Sequence, residues 1–250
     1  MPTEEYPYLY QYPLEDAVAD GEEKLWEESF RENVCCARDI ERTLRQHGSG
    51  DNIPSDCAAK VLSEYGHKRV GFVLAQTVKK FVQDHKTGSG LGEDVIEWSN
   101  RFTSVAEPKY GHYYRVSVAP ELLSQFVRQA EAAYQALGLL GREQCSAGMY
   151  SGDTVGKVLV MKPDTLKEQY WTQQSQLWLA TGGFGCDPKA SGRAIYGVCL
   201  ADGEQARWNR EDFIGVLDEQ YLPEWAKEKL EALRAPKQTG SPAMNGINMG

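Results

Sequence analysis

The residue types in this chain that could do chemistry are six cysteines, four histidines, two glycine-rich loops and one short run of mixed charge. A nucleophilic thiol needs a neighbouring base or a positive field. The vicinal pair Cys35-Cys36 lies inside a helical pattern that supplies neither at a recognisable spacing, and no two of the cysteines at 35, 36, 57, 145, 186 and 199 form a C-x-x-C motif. They read as free, mostly buried thiols. His47, His67, His85 and His112 have no i, i+4 partner and no adjoining acidic motif, so no metal site is encoded and no cofactor is expected. The loop Gly88-Ser89-Gly90-Leu91-Gly92 lacks the G-K-[ST] ending of a phosphate cradle, and Gly182-Gly183-Phe184-Gly185 lacks the spacing of a dinucleotide fingerprint. No serine sits in a G-x-S-x-G elbow. Asp202, Glu204, Arg207 and Arg210 are close enough in sequence for acid and base work, and a turn leading into a salt-bridged helix start explains them equally well. No catalytic residue is assigned.

Charge is the more informative signal. The net charge is −9, and residues 1 to 32 hold ten acids against only Lys24 and Arg31, so eight of the nine excess negative charges sit at this end. Glu15, Asp16, Asp20, Glu22, Glu23, Glu27 and Glu28 form its dense part, and they are the candidate partner-binding residues. Such a run is ordinarily a solvated helix face; its concentration here makes a surface for a basic partner the competing reading. Direct nucleic-acid binding by this region is disfavoured, because that affinity comes largely from Lys and Arg displacing counterions.

The elements that would position these residues follow from apolar spacing. Tyr6 to Tyr12 alternates aromatic with other residues, as an extended segment docked on the domain behind it would. A short helix is expected over Leu14–Asp20. Leu25, Trp26, Phe30, Val34, Ala37, Ile40 and Leu44 recur near a 3.6 period, predicting one long amphipathic helix from Glu22 to His47. A helix capped by Ser55 or Asp56 runs to Gly66, and another carries Val70 to Phe81. Short helical pieces follow from Val95 and from Pro120, with a brief strand at Val116 and Val118 between them. The glycine-rich stretch at 139–152 reads as a linker.

Beyond it, Val155 to Met161 reads as a strand, and Thr165 with Glu168 matches a capping box for a short helix. Leu177 to Ala180 and Arg193 to Leu200 read as strands, and Asp202-Gly203 as the turn of a β-hairpin returning through Gln205 to Trp208. Asn209 reads as the cap of a helix carrying Phe213, Val216 and Leu217, and a last helix starts at Pro223. The expected fold is therefore α+β: a mainly helical domain over 1–138, a small mixed domain over 153–235, and a disordered tail over 236–250. No run approaches the length of a membrane helix, and the N-terminus lacks the pattern of a secretory signal, so a cytoplasmic protein with no membrane partner is expected.

Two stretches carry a resemblance. SFRENVCCARDIERTLRQH followed by YGHKRVGFVLAQTV resembles a helical domain of unknown function found on conjugative elements and phages of gut Firmicutes. The segment from Val155 to Leu233 is similar to a C-terminal module that accompanies it, and together they span roughly Tyr8 to Leu233. The resemblance implies a setting in mobile DNA and carries over no catalytic residues. The leading expectation is a non-enzymatic interaction protein binding a host or element-encoded protein. Its acidic segment would occupy the basic channel of a nuclease and so inhibit a nucleic-acid-targeting defence system. The alternative is an enzyme or small-ligand binder with a site at the domain junction, lined by Trp178, Arg207, Trp208 and Arg210. A weaker one is nucleic-acid binding along a helix bearing Lys68, Arg69, Lys79 and Lys80.

Overall fold

A computed structural model describes residues 6–47, 52–85, 90–101 and 114–234, without the side chains of His47 and Arg101. The expected tail, most of the Lys86 to Gly92 loop and His112 lie outside the described residues. The chain divides into two compact units, one comprising Met1–Leu139 with Leu166–Trp171, the other Leu140–Thr165 with Thr172–Gly250. Of residues 139–152, read from sequence as a linker, Leu139 falls in the first unit and 140–152 in the second. The α+β fold class holds: a helical region precedes an antiparallel-sheet domain. No helix among the described residues is long and apolar enough to cross a membrane.

The first unit contains α1 (Leu14–Asp20), α2 (Glu23–His47), α3 (Cys57–Asp84), α4 (Glu93–Arg101) and α5 (Pro120–Ala136). The amphipathic stripe of α2 packs Ala37, Ile40 and Leu44 against α3. Every residue of α3 from Arg69 to Val78 is buried, so this stretch is covered all round, with α2, α4 and α5 packed against the helix. Its N-terminus is served from outside: the Ala58 amide donates to Gln129 Oε1 of α5 at 3.1 Å, and neither Ser55 nor Asp56 caps it by side chain. Val116 is not in a strand. It is fully buried in extended chain, and its amide donates to Thr77 Oγ1 at 3.4 Å.

The two helices read on either side of Gly66 are one element with a break. Gly66 has φ 78° and ψ 163°, a conformation that L side chains avoid and that interrupts the ladder inside α3. The amides of His67 and Lys68 thereby become orphans of a new helix start. Glu168, expected to pair with Thr165 in a capping box, instead reaches this break: its carboxylate accepts from the His67 amide and, at 3.1 Å, from the Lys68 amide. Glu168 itself begins only a single 3-10 turn, Glu168–Tyr170. A Cβ at position 66 would stand 2.6 Å from a Glu168 carboxylate oxygen, so the glycine also makes room for the cap.

In the second unit, β1 (Cys145–Ala147), β2 (Val158–Met161), the one-turn α6 (Gln173–Gln176), β3 (Leu177–Gly182), β4 (Ala194–Cys199), β5 (Gln205–Asn209) and β6 (Phe213–Leu217) precede α7 (Glu224–Arg234). The strands form one antiparallel sheet in the order β1-β6-β2-β3-β4-β5. The expected β4–β5 hairpin is present, with the Glu204 amide donating to Asp202 Oδ1 at 2.9 Å in its turn. One face carries Val158, Val160, Leu177, Leu179 and Leu217, packed with Ala226 and Leu230 of α7.

The helix expected over Phe213 to Leu217 is a strand. Asp212 Oδ2 accepts from the Asn209 amide at 2.7 Å, yet this local cap closes only the 3-10 turn Arg210–Asp212. The following Phe-Ile-Gly-Val-Leu is rich in strand formers and pairs on both sides, with β1 and β2. Gly215 admits the neighbour, since a Cβ there would lie 2.3 Å from the Ala147 carbonyl oxygen.

Burial raises the pKa of Glu168, while its two amide donors and the nearby Lys68 and Arg69 oppose the rise. A carboxyl whose folded pKa lies above its ordinary value adds stability that is complete at acid pH and lost as pH rises through the folded value. Glu168→Gln should therefore flatten the pH dependence of stability above about pH 4.5, while keeping one acceptor for the cap. Glu168→Ala should cost about 1–2 kcal/mol by orphaning the amides. Urea unfolding at a series of pH values checks both, and identical pH profiles for the Glu168→Gln variant and the native protein would exclude this account.

Candidate functional site

The acidic segment is built on an anchored scaffold. Residues Tyr6 to Tyr12 lie extended against the helical unit, with Tyr10 turned inward and 4 % exposed. The Tyr10 amide donates to Ser29 Oγ at 2.9 Å. Burial and a hydrogen bond with Glu22 push its phenol up to about 12. Tyr8 and Tyr12 flank it edge to face, at ring-centroid distances of 6.2 and 6.0 Å, and remain 64 % and 62 % exposed. Beneath the segment lies Arg69 of α3, a fully buried cation. Its guanidinium donates to the carbonyls of Pro7 at 2.9 Å, Tyr8 at 3.0 Å and Ser29 at 3.1 Å, and to Asn33 Oδ1 at 2.5 Å. Burial lowers its pKa, and Glu32 nearby opposes that.

Above this anchor, α1 ends at Gly21, whose φ of 72° lets the Glu22 amide reach back to the Ala17 carbonyl at 2.7 Å and turns the chain into α2. The acids cluster at the two helix starts, where the helix dipole favours negative charge: Glu15 and Asp16 in the first turn of α1, Glu23 in that of α2. All seven candidate residues, Glu15, Asp16, Asp20, Glu22, Glu23, Glu27 and Glu28, are exposed. Lys24 approaches Glu28 at 3.9 Å, a solvent-screened pair worth little. Val18 and Leu25 stand exposed in the same segment. The surface therefore mixes unneutralised carboxylates with solvent-facing rings and aliphatic side chains.

The other candidate residues, all in the sheet unit, do not converge. Trp178 and Trp208 meet edge to face at 5.3 Å, and the Trp178 indole donates to the Ser175 carbonyl at 2.9 Å. The Trp208 indole nitrogen is buried without a partner. Arg210 is buried and committed to the loop before β4: its guanidinium donates to Gly185 at 2.8 Å and Asp187 at 2.6 Å, with longer contacts to Phe184, Ala190 and Gly192, and it lies 4.9 Å from the Tyr150 ring centre. Arg207 is exposed and pairs with Tyr196, one register step from the Trp208–Ile195 pair, so it projects from the opposite face of the sheet.

The helix expected to present a basic row does not present one. Lys68 donates to the Leu166 carbonyl at 2.8 Å and sits over the Trp171 ring, Arg69 is buried, Lys79 is half-buried, and Lys80 pairs with Asp84 at 2.7 Å. Burial lowers the pKa of His67, which lies 6.2 Å from Trp171 and 6.3 Å from Tyr134 between ring centres. This group of His67, Lys68, Tyr134, Glu168 and Trp171 is a cluster of titratable and aromatic side chains that spacing did not reveal, because its members come from sequence positions 100 residues apart. Its polar atoms serve the helix break. Burial also pushes the Cys36 thiol up to about 12 and raises Cys57, Cys145 and Cys199, the direction that disfavours a thiolate. Among the described residues no three His, Cys, Asp or Glu side chains are grouped to hold a metal ion.

Fold and site together define an α+β protein whose most concentrated exposed chemistry is acidic and aromatic, displayed on a helical unit. The chain belongs to the family described as protein of unknown function (DUF3849), whose model matches residues 9–135, nearly the whole of that unit. No curated protein and no solved structure matches the chain.

Removing the anchor should release the display. Arg69→Ala leaves the Pro7, Tyr8 and Ser29 carbonyls without their donor and should cost at least about 3 kcal/mol. Lys, a point charge without the planar fork, should recover only part of the loss. Chemical denaturation measures the cost, and limited proteolysis should show cleavage near Tyr8 to Tyr12 well below the unfolding midpoint.

Proposed function

We propose that the protein is a non-enzymatic binding protein whose acidic N-terminal surface engages a basic surface on another protein. The observation that carries this reading is the exposure of all seven carboxylates together with Tyr8, Tyr12, Val18 and Leu25. Aromatic residues are enriched at the buried centres of interfaces, and a rim of one sign of charge steers a partner of the other sign. The resemblance to proteins of conjugative elements and phages suggests the partner class. It is a cytoplasmic host or element-encoded protein with a basic nucleic-acid channel, such as a defence nuclease, in which carboxylates stand where phosphates would. A catalytic or small-ligand role centred on Trp178, Arg207, Trp208 and Arg210 has less support, because Arg210 is spent on the carbonyls of its own loop and Arg207 faces away from the tryptophan pair.

The test is retention of a protein from nuclease-treated bacterial lysate on the immobilised full chain, followed by titration with the purified partner. Changing Glu22, Glu23, Glu27 and Glu28 to Lys should abolish binding and leave the melting temperature within a few degrees, since exposed substitutions cost little. Affinity of the native chain should fall as salt rises. Full retention by the charge-reversed protein would refute the reading.

A further inference from the structure

We propose that the outer edge of β5 is a docking site for an extended strand of a partner protein that places a carboxylate side chain beside Arg207. This site lies in the sheet unit and is independent of the acidic surface.

The backbone supplies the first argument. Backbone bonds from Arg210 to Arg193 and from Cys199 to Glu204, each 2.8 Å, mark hydrogen-bonded pairs at the two ends of the β4–β5 ladder. In an antiparallel pair such positions alternate with non-bonded ones, so Trp208–Ile195 and Ala206–Gly197 exchange hydrogen bonds and Arg207–Tyr196 and Gln205–Val198 do not. The N–H and C=O groups of Gln205 and Arg207 therefore point away from β4, two residues apart, at the end of the sheet. Asn209 would continue the row, but its amide is taken by Asp212. Among the described residues nothing else pairs with this edge.

The two ends of the sheet are treated differently. β1 is three residues long and its register shifts between Cys145 and Ala147, which blunts that edge. β5 is five residues long, keeps one register throughout and contains no proline. A regular, unpaired edge of this length is a template for strand addition, in which main-chain bonds supply affinity and pockets beside the edge read alternate side chains, and its one charge, Arg207, selects against cationic strands.

The side chains supply the second argument. Arg207 is exposed and, among the described residues, pairs with no carboxylate. It shares a cross-strand row with Tyr196, which is 52 % exposed. With Thr181, Val198 and Gln205 they line a shallow concavity of about 400 Å³ on that face of the sheet. A strand added to β5 would extend this row by one residue directly beside Arg207, where an opposite charge is favoured and a like charge is not. The partner is thus an extended segment with an acidic residue in that row and small or polar residues flanking it.

The test uses the full chain, labelled with nitrogen-15, and capped nine-residue probe peptides of alternating threonine and valine with a central glutamate or a central lysine. The glutamate probe should slow hydrogen exchange of the Gln205 and Arg207 amides about tenfold, and the lysine probe should not. N-methylation of the probe's pairing amides should abolish the effect. Arg207→Glu should reverse the preference toward the lysine probe, a gain that misfolding cannot mimic. Equal protection by both probes, or none by either, overturns the proposal. Protection that grows with protein concentration in the absence of probe also overturns it, assigning the edge to a second copy of the chain.

Discussion

The break at Gly66 is the constraint on which the helical unit depends. A helix cannot be interrupted cheaply at the margin of a buried stretch, because the amides freed at the new start, those of half-buried His67 and Lys68, need an acceptor. The chain solves this with a carboxylate from a hundred residues downstream, and the segment Leu166–Trp171 belongs to the helical unit for that reason. The same break sets the direction of the next turn of α3, in which Arg69 faces the N-terminal segment. Four consecutive residues, Gly66 to Arg69, thus receive one peripheral segment through donated amides and another through a donated guanidinium. The placement of Tyr8 follows from this arrangement, since Arg69 holds the Pro7 and Tyr8 carbonyls.

The two units share a way of burying positive charge. Arg69 and Arg210 are each nearly sealed from solvent, and each is satisfied mainly by backbone carbonyls. A buried guanidinium pairing with a carboxylate would leave its remaining donors to be matched individually, whereas carbonyls gathered from irregular chain can be placed one per N–H. The effect is to order segments with no secondary structure of their own. Arg69 orders residues 7 and 8, and Arg210 orders the loop from Phe184 to Gly192. Both arginines are structural cations whose charge is unavailable to a ligand.

Much of this architecture is legible in the sequence where one local period dominates. The stripe of α2, the boundaries of α1 and the Asp-Gly hairpin follow from spacing and turn chemistry alone. Phe213 to Leu217 misleads because a genuine cap precedes it, and capping chemistry fixes where a turn starts without fixing how far it runs. The strand is decided by what lies on either side of it in the sheet. Glu168 misleads in the same way: its three-residue spacing from Thr165 suggests a local cap, while the orphan amides with the greater need lie elsewhere in the chain. The acidic cluster was legible because charge density is a property of a contiguous stretch. The convergence of Trp178 with Trp208, and the divergence of Arg207 from them, was not, because register rather than proximity in sequence decides which face a strand residue takes.

These features bear on what kind of protein this is. Here the polar groups inside the fold are largely completed by the chain itself: Glu168 by two amides, Arg69 and Arg210 by carbonyls, and Gln176 by the amide and carbonyl of Leu140 and the carbonyl of Met161. Among the described residues three buried side-chain atoms lack a partner, Asn33 Nδ2, Ser124 Oγ and Trp208 Nε1, while the carboxylates over α1 and the start of α2 and the outward backbone groups of β5 face solvent. The two binding roles proposed above would draw on surfaces that belong to different units, so a variant at one leaves the other in place.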